Sequence, residues 1–285
     1  MKRRNFLQAG AAAFTVHAFP YELLAGDKKY ASDRIKLGPK HLELSRMAMG
    51  TGTGGWGGSS NQTRALGVNG LADLLRAAYD ENVNFWDSAD QYGSHPHLKA
   101  ALRHVPREKV VIMTKTLSHS AKDMKADLDR FRREIGTDYL DIVLLHAESA
   151  ANWPQTRKGA MDVLSQAQVD GIVKTVGISC HSIGALRTAS ENPWVEVDLV
   201  RLNPAGIRMD ADVPVVVETL KQMKQNGKGI IGMKVMGLGQ IPDRLDECLE
   251  FALGGGILDC FTLGCENEQQ FRDLLQRIPA ASVRA

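Results

Sequence analysis

Asp87, Tyr92, Lys115 and His146 are the residues of this chain whose types and spacing could do chemistry together. Asp87 closes the apolar run Phe85-Trp86, and Tyr92 follows five residues later, just before Gly93. Lys115 closes the run that starts at Val111, and His146 closes the run that starts at Tyr139. A phenol ordinarily titrates near ~10, which makes it a poor acid at neutral pH. A neighbouring ammonium favours the ionised phenol and draws that value down. A carboxylate beside the ammonium keeps it charged and fixed, and an imidazole can hold an oxygen in line. Such groups can protonate a carbonyl oxygen while a hydride reaches its carbon. Singly, each has a plain reading: Asp87 as a helix cap, Tyr92-Gly93 as a turn, Lys115 as a rim charge, His146 as a satisfied core histidine. The informative feature is that all four fall at three consecutive strand ends.

The elements that must position them are legible as short apolar runs. The runs predict strands over Ser45–Gly50, Val83–Trp86, Val110–Thr114, Leu140–Leu145, Val173–Ile178, Val197–Leu202, Gly229–Lys234 and Leu258–Thr262. Between them, apolar residues at helical spacing predict helices over Leu71–Asn82, Met124–Ile135, Met161–Gln168, Val213–Gln225, Leu245–Leu253 and Gln269–Ile278. Strands alternating with helices imply parallel pairing through right-handed crossovers. Eight such units can close into a (β/α)8 TIM barrel, with a six-strand open sheet as the competitor. In a parallel barrel the strand ends converge on the C-terminal face, which gathers the four residues.

The segment from Gly50 to Gly58 contains a literal GxGxxG, Gly52 to Gly57. A dinucleotide fingerprint needs its third glycine to open a helix. The residues that follow, Ser59 to Arg64 and then Gly67 and Gly70, read as a long polar loop. A glycine-rich loop after a first barrel strand, passing its backbone close to a flat ligand, fits better.

The chain has 285 residues, a formal net charge of +2 and 44% hydrophobic residues. The length suits one α/β barrel. The near-neutral charge gives no basic field for nucleic acid. Cys180, Cys248, Cys260 and Cys265 form no paired metal pattern and read as free core thiols. Met1-Lys2-Arg3-Arg4-Asn5-Phe6-Leu7, followed by a mildly apolar stretch to Pro20, has the layout of a secretory signal. Arg-Arg-x-Phe-Leu is similar to a twin-arginine signal, which exports folded proteins. Residues 1–30 are therefore expected to be a signal segment and 31–285 the barrel. The expected location is periplasmic or otherwise exported, with cytoplasmic as the alternative. Export machinery would be a partner, and a membrane would be met only through an uncleaved signal.

Asp87-x-Ala89-x-x-Tyr92-Gly93, Thr114-Lys115 and Asp141-x-x-x-Leu145-His146 together resemble the aldo/keto reductases, and the resemblance runs from about Ile35 to Ile278. It implies a (β/α)8 barrel that interconverts a carbonyl and an alcohol with NADP or NAD. It implies Tyr92 as proton donor or acceptor, Asp87 and Lys115 tuning it, and His146 orienting the substrate oxygen. For the cofactor it implies Gly52 and Thr53 near the nicotinamide ribose, Ser179 and Cys180 at the carboxamide, and Arg201 and Asn203 under the ring. Lys234, Gly237 and Leu238 fall in the pyrophosphate loop. The pattern departs from the family where Ser179-Cys180 replaces Ser-Asn. It departs again where Gly264-Cys265 and Gln270 replace the cations that hold a 2′-phosphate. Two other readings compete. One is a metal-dependent hydrolase gathering His95, His97, His119, His146 and His181. The other is an exported barrel that binds a small ligand without turnover.

Overall fold

The computed structural model describes residues 28–285. The segment read as an export signal lies outside the described residues, apart from its last three. Of those, Lys29 already belongs to the fold, donating to the Leu253 carbonyl at 2.6 Å and, through its backbone, to Ser282 Oγ at 3.0 Å.

Eight parallel strands close a barrel: β3 (Met47–Gly50), β4 (Phe85–Asp87), β5 (Val111–Thr116), β6 (Leu140–Glu148), β7 (Val173–Cys180), β8 (Val197–Arg201), β9 (Gly229–Met233) and β10 (Cys260–Gly264). All eight match the expected strands, with β5, β6, β7 and β10 each running two or three residues further at the C-terminal end. Those extensions bring Lys115 and His146 inside strands. Successive strand residues face opposite sides. Ala48, Phe85, Val111, Met113, Ile142, Leu144, Val197, Leu199, Ile231, Met233 and Cys260 form the inner core. Met49, Trp86, Ile112, Val143, Ile178 and Val200 pack outward with the helices.

A hairpin of β1 (Arg34–Leu37) and β2 (Leu42–Ser45), absent from the expected elements, precedes the barrel. It buries Leu37 and Leu44 in the inner core, plugging the end opposite the site. Its signal was the apolar alternation Ile35/Leu37 and Leu42/Leu44 around Gly38-Pro39. A Cβ at Gly229 would stand 2.7 Å from Leu37 Cδ1, so β9 has a glycine where the plug presses on it.

The residues read as a polar loop after Gly58 are instead the start of α1 (Asn61–Asp80). Ser60 caps it, its side chain accepting from the Thr63 amide at 3.2 Å while Thr63 Oγ1 accepts from the Ser60 amide at 2.7 Å. Gly67, at φ 59°, interrupts the helix and had masked its apolar period. α2 (His95–Ala101) and α6 (Ile183–Glu191) were also unforeseen, being only two turns long. The remaining larger helices fall near expectation: α3 (Ala121–Ile135), α5 (Lys158–Val169), α7 (Val213–Gln225), α8 (Leu245–Leu253) and α9 (Glu268–Ser282), with one short turn, α4 (Trp153–Thr156).

Candidate active site

Asp87 on β4, Lys115 on β5 and His146 on β6 continue the inward-facing alternation of Phe85, Met113 and Leu144 at the C-terminal mouth. Their convergence is a consequence of strand parity. Lys115 is fully buried and forms an ion pair with Asp87 Oδ1. It also donates to the Ser88 carbonyl at 2.8 Å. The other carboxylate oxygen of Asp87 accepts from Thr262 Oγ1 of β10 at 2.8 Å. Thr262 was missed, because a lone strand threonine carries no signal until the barrel closes.

Tyr92 ends a short 3-10 turn, Asp90–Tyr92, and Gly93 reverses the chain at φ 64°. The Lys115 ammonium lies 4.7 Å from the centre of the Tyr92 ring. The His146 ring meets Tyr92 edge-on at 5.7 Å between centres. The sequence suggests that Lys115 draws the phenol down, but burial outweighs that pull, and with the negative charge of Asp87 it holds Tyr92 above its ordinary value. Burial would lower Lys115 too, yet Asp87 and Tyr92 more than offset this and keep it protonated. His146 lies well below its ordinary value through burial and then through Lys115, His181, Lys234 and Arg157, so its ring is neutral. Its Nδ1 is buried without a partner.

The glycine-rich loop does accommodate a flat object, and that object is Tyr92. A Cβ at Gly52 would lie 2.1 Å from Tyr92 Cε2, and one at Gly55 would lie 2.4 Å from Tyr92 Cδ1. A Cβ at Gly93 would lie 2.0 Å from the Gly58 carbonyl oxygen. Backbone bonds from Gly58 to the Gln91 carbonyl (3.0 Å) and from Gly57 to Gln91 Oε1 (3.2 Å) fasten loop to turn. On the other side, Arg130 of α3 donates to Asp90 Oδ1 at 2.6 Å and to Asp127 Oδ1 at 2.7 Å.

A cavity of about 310 Å³ opens beside these groups, a size suited to a small-molecule site. Of the expected cofactor residues, Gly52, Thr53, Lys234 and Leu238 line it. Gly237, at φ 56°, turns the chain between the last two, and a Cβ there would press within 3.0 Å of Ile207. The Lys234 ammonium has no hydrogen-bond or ion-pair partner among the described residues. Burial and the nearby Arg201 bring its ammonium down to about 8. Ser179 faces inward on β7 with its hydroxyl buried and unpartnered. A Cβ at Gly264 would meet Thr53 Oγ1 at 2.3 Å and Gln62 Nε2 at 2.5 Å, so the glycine leaves these two side chains their place at this edge of the cavity. An unpartnered hydroxyl, a free cation and a glycine-floored cleft beside Tyr92 fit a nicotinamide dinucleotide.

Three expected cofactor residues are placed otherwise. Cys180 packs outward and donates its thiol to Asp198 Oδ2 at 3.4 Å. Burial, then Asp198, pushes that thiol well up. Burial also raises Asp198 to about 7, against the Cys180 bond and with help from Asp210. Asn203 is consumed by its own loop, donating to the Ile207 carbonyl (2.8 Å) and the Lys234 carbonyl (3.2 Å) while Oδ1 accepts from the Ala205 and Ile207 amides. It shapes the mouth without lining it. Arg201 faces inward but is ion-paired to the buried Asp210.

The histidines of the metal reading do not assemble. His95 turns outward to Glu134 (2.8 Å) and Thr114 (2.8 Å), away from His146 inside the barrel. The one group of potential ligands among the described residues, Asp90, His95 and Glu134, is already occupied by Arg130.

Residues 47–247 match the model of the aldo/keto reductase family, and the chain belongs to that family of oxidoreductases. It is 24% identical over 229 residues to a D-threo-aldose 1-dehydrogenase of Pseudomonas sp., covering 69% of this chain and 68% of that one. It is 23% identical over 171 residues to the NADH-specific methylglyoxal reductase of Escherichia coli, covering 50% of this chain and 51% of that one. Among solved structures, a Pseudomonas aeruginosa protein assigned to the aldo-keto reductases superposes with a TM-score of 0.71 at 21% identity, over 90% of this chain and 98% of the other. The holo form of aldo-keto reductase AKR11C1 from Bacillus halodurans superposes at 0.69 with 15% identity, over 87% and 91%. These likenesses support the barrel itself.

Proposed function

We propose that this protein interconverts a small carbonyl compound and its alcohol with a nicotinamide dinucleotide, Tyr92 moving the proton. The observation that carries the reading is the Tyr92 ring held between Gly52 and Gly55, beside the buried Lys115–Asp87 pair and His146, at the wall of the cavity. When bound, the dinucleotide exchanges a hydride with the substrate carbon. Ser179 would meet its amide end, Thr53 its ribose, and Lys234 and Leu238 its pyrophosphate.

The phenol, held protonated by burial, gives its proton to the carbonyl oxygen in the reductive direction. Lys115 stabilises the phenolate left behind, and Asp87, braced by Thr262, keeps the ammonium aimed. Neutral His146 can donate one hydrogen bond to the same oxygen, which fixes it in line without competing for the proton. Oxidation starts from the ionised phenol and reduction from the protonated one, so the initial rate of oxidation should rise with pH and that of reduction should fall.

Tyr92→Phe tests this. Turnover should fall by about 10²- to 10⁴-fold, the usual worth of a positioned general acid. Nucleotide affinity, read by quenching of protein fluorescence, should stay within about twofold. Undiminished turnover would overturn the role of Tyr92. Binding of a nucleotide with no turnover of any aldehyde, ketone or sugar would favour the non-catalytic alternative. We also propose export through the twin-arginine route, supported by Arg3-Arg4-x-Phe6-Leu7. Replacing both arginines with lysine should hold the protein inside the cell, and unchanged export would refute the route.

A further inference from the structure

The nicotinamide reading leaves open which dinucleotide fits. Tyr92 and Asp87 stand at the barrel mouth, so the reacting ring must lie there and the adenosine end must run outward. The cavity wall beyond the strand ends is made by Glu266, past the end of β10, and Gln270, in the first turn of α9. A 2′-phosphate at this place would need cations or free amides. These two residues offer neither. Glu266 brings a carboxylate, held by Asn61 Nδ2 on Oε1 at 3.0 Å. The Gln270 amide is already capped by Asn267 Oδ1 at 2.8 Å, and the Glu266 amide by Gln270 Oε1 at 2.8 Å. Arg272, the nearest arginine in sequence, is spent on Glu268 at 2.5 Å and faces Glu81 at 3.5 Å. Arg64 donates to Asn61 Oδ1 at 2.7 Å, which turns the amide of Asn61 towards Glu266. Lys234 is the one cation among the cavity-lining residues, and it sits on the loop after β9.

We propose that Glu266 selects the dinucleotide without a 2′-phosphate, so that the protein uses NAD(H) in preference to NADP(H). A ribose 2′-hydroxyl can donate to the carboxylate, whereas a phosphate dianion in the same place is repelled by it and finds the Glu266 and Gln270 amides already engaged. This rests on the reading of the cavity as a nicotinamide site.

The test is fluorescence titration of the whole protein with NADH and with NADPH, at low and high salt, for the wild type, Glu266→Gln and Glu266→Lys. Glu266 is exposed, so neither change should disturb folding. The wild type should bind NADH about fivefold more tightly, the upper end of what one exposed charge interaction contributes. The gap should narrow as salt screens the repulsion. Glu266→Gln should bring the two within about threefold, and Glu266→Lys should reverse the order. Tighter NADPH binding by the wild type would overturn the proposal, and loss of that preference in Arg64→Ala would place the phosphate on Arg64. An NADH preference unchanged in Glu266→Gln would overturn the role of Glu266 while leaving the nicotinamide site standing. Failure of the wild type to bind either nucleotide would overturn the site reading and this inference together.

Discussion

On β4, β5 and β6 Asp87, Lys115 and His146 bond or face one another; at the ends of β7, β8 and β9 the polar side chains turn to a neighbouring strand, bond the loop that follows or stand without a partner. Asp87, Lys115 and His146 are inward by strand parity, and the ion pair between the first two is obligatory once both are buried. Removing one partner of such a pair costs about 3–5 kcal/mol, because the other charge is left without compensation. The opposite wall spends its polar groups on scaffolding: Asn203 folds its own loop, Arg201 answers Asp210, and Cys180 turns outward to Asp198. What that wall offers a ligand is mostly backbone, one lysine and one hydroxyl. The difference teaches that a catalytic set is written in side-chain identities, whereas a cofactor cradle is written largely in chain geometry.

The comparison is broken most severely where backbone serves the catalytic half. Gly52→Ala would push a methyl group into the Tyr92 ring, and a displacement of about 1 Å in a reacting group costs on the order of 10²-fold in turnover. Nucleotide binding should change far less, so turnover and affinity must be measured on the same preparation. An unimpaired Gly52→Ala protein would show that the ring is not held by the loop. On the other wall, Lys234→Met should weaken nucleotide binding about tenfold at pH 7 through loss of one phosphate contact. In the wild type this contact should fade as pH rises through about 8, where Lys234 loses its proton, and the variant should lack that fall. An identical pH profile in both would remove Lys234 from the phosphate. The smallest effect should come from Cys180→Ala, with affinity within about threefold of wild type. A larger loss would bring Cys180 back to the carboxamide.

The strands and the gathering of Asp87, Tyr92, Lys115 and His146 were legible because both rest on local pattern. An apolar run marks a buried strand, and the residue that ends it marks the mouth. The opening of α1 was not legible, since Gly67 and a polar first turn hid its period, although Ser60 and Thr63 were present as a capping pair. The β1–β2 plug was hidden by its brevity. Gly52 and Gly55 were noticed for the right property, room for a flat ring, but sequence spacing does not say whose ring. Cys180 was misplaced because motif position carries no information about which face of a strand end a side chain takes. Glu266 and Thr262 needed the closed barrel, being neighbours of residues 205 and 175 positions earlier.

The bond from Thr262 to Asp87 joins the last barrel strand to the second. The carboxylate that aims the lysine is therefore fully braced only after the ring has shut. A chain refolding from denaturant would recover its helical signal and its tryptophan burial before its full turnover. Activity would then report ring closure itself, and a Thr262→Val protein would shorten that delay while lowering the plateau.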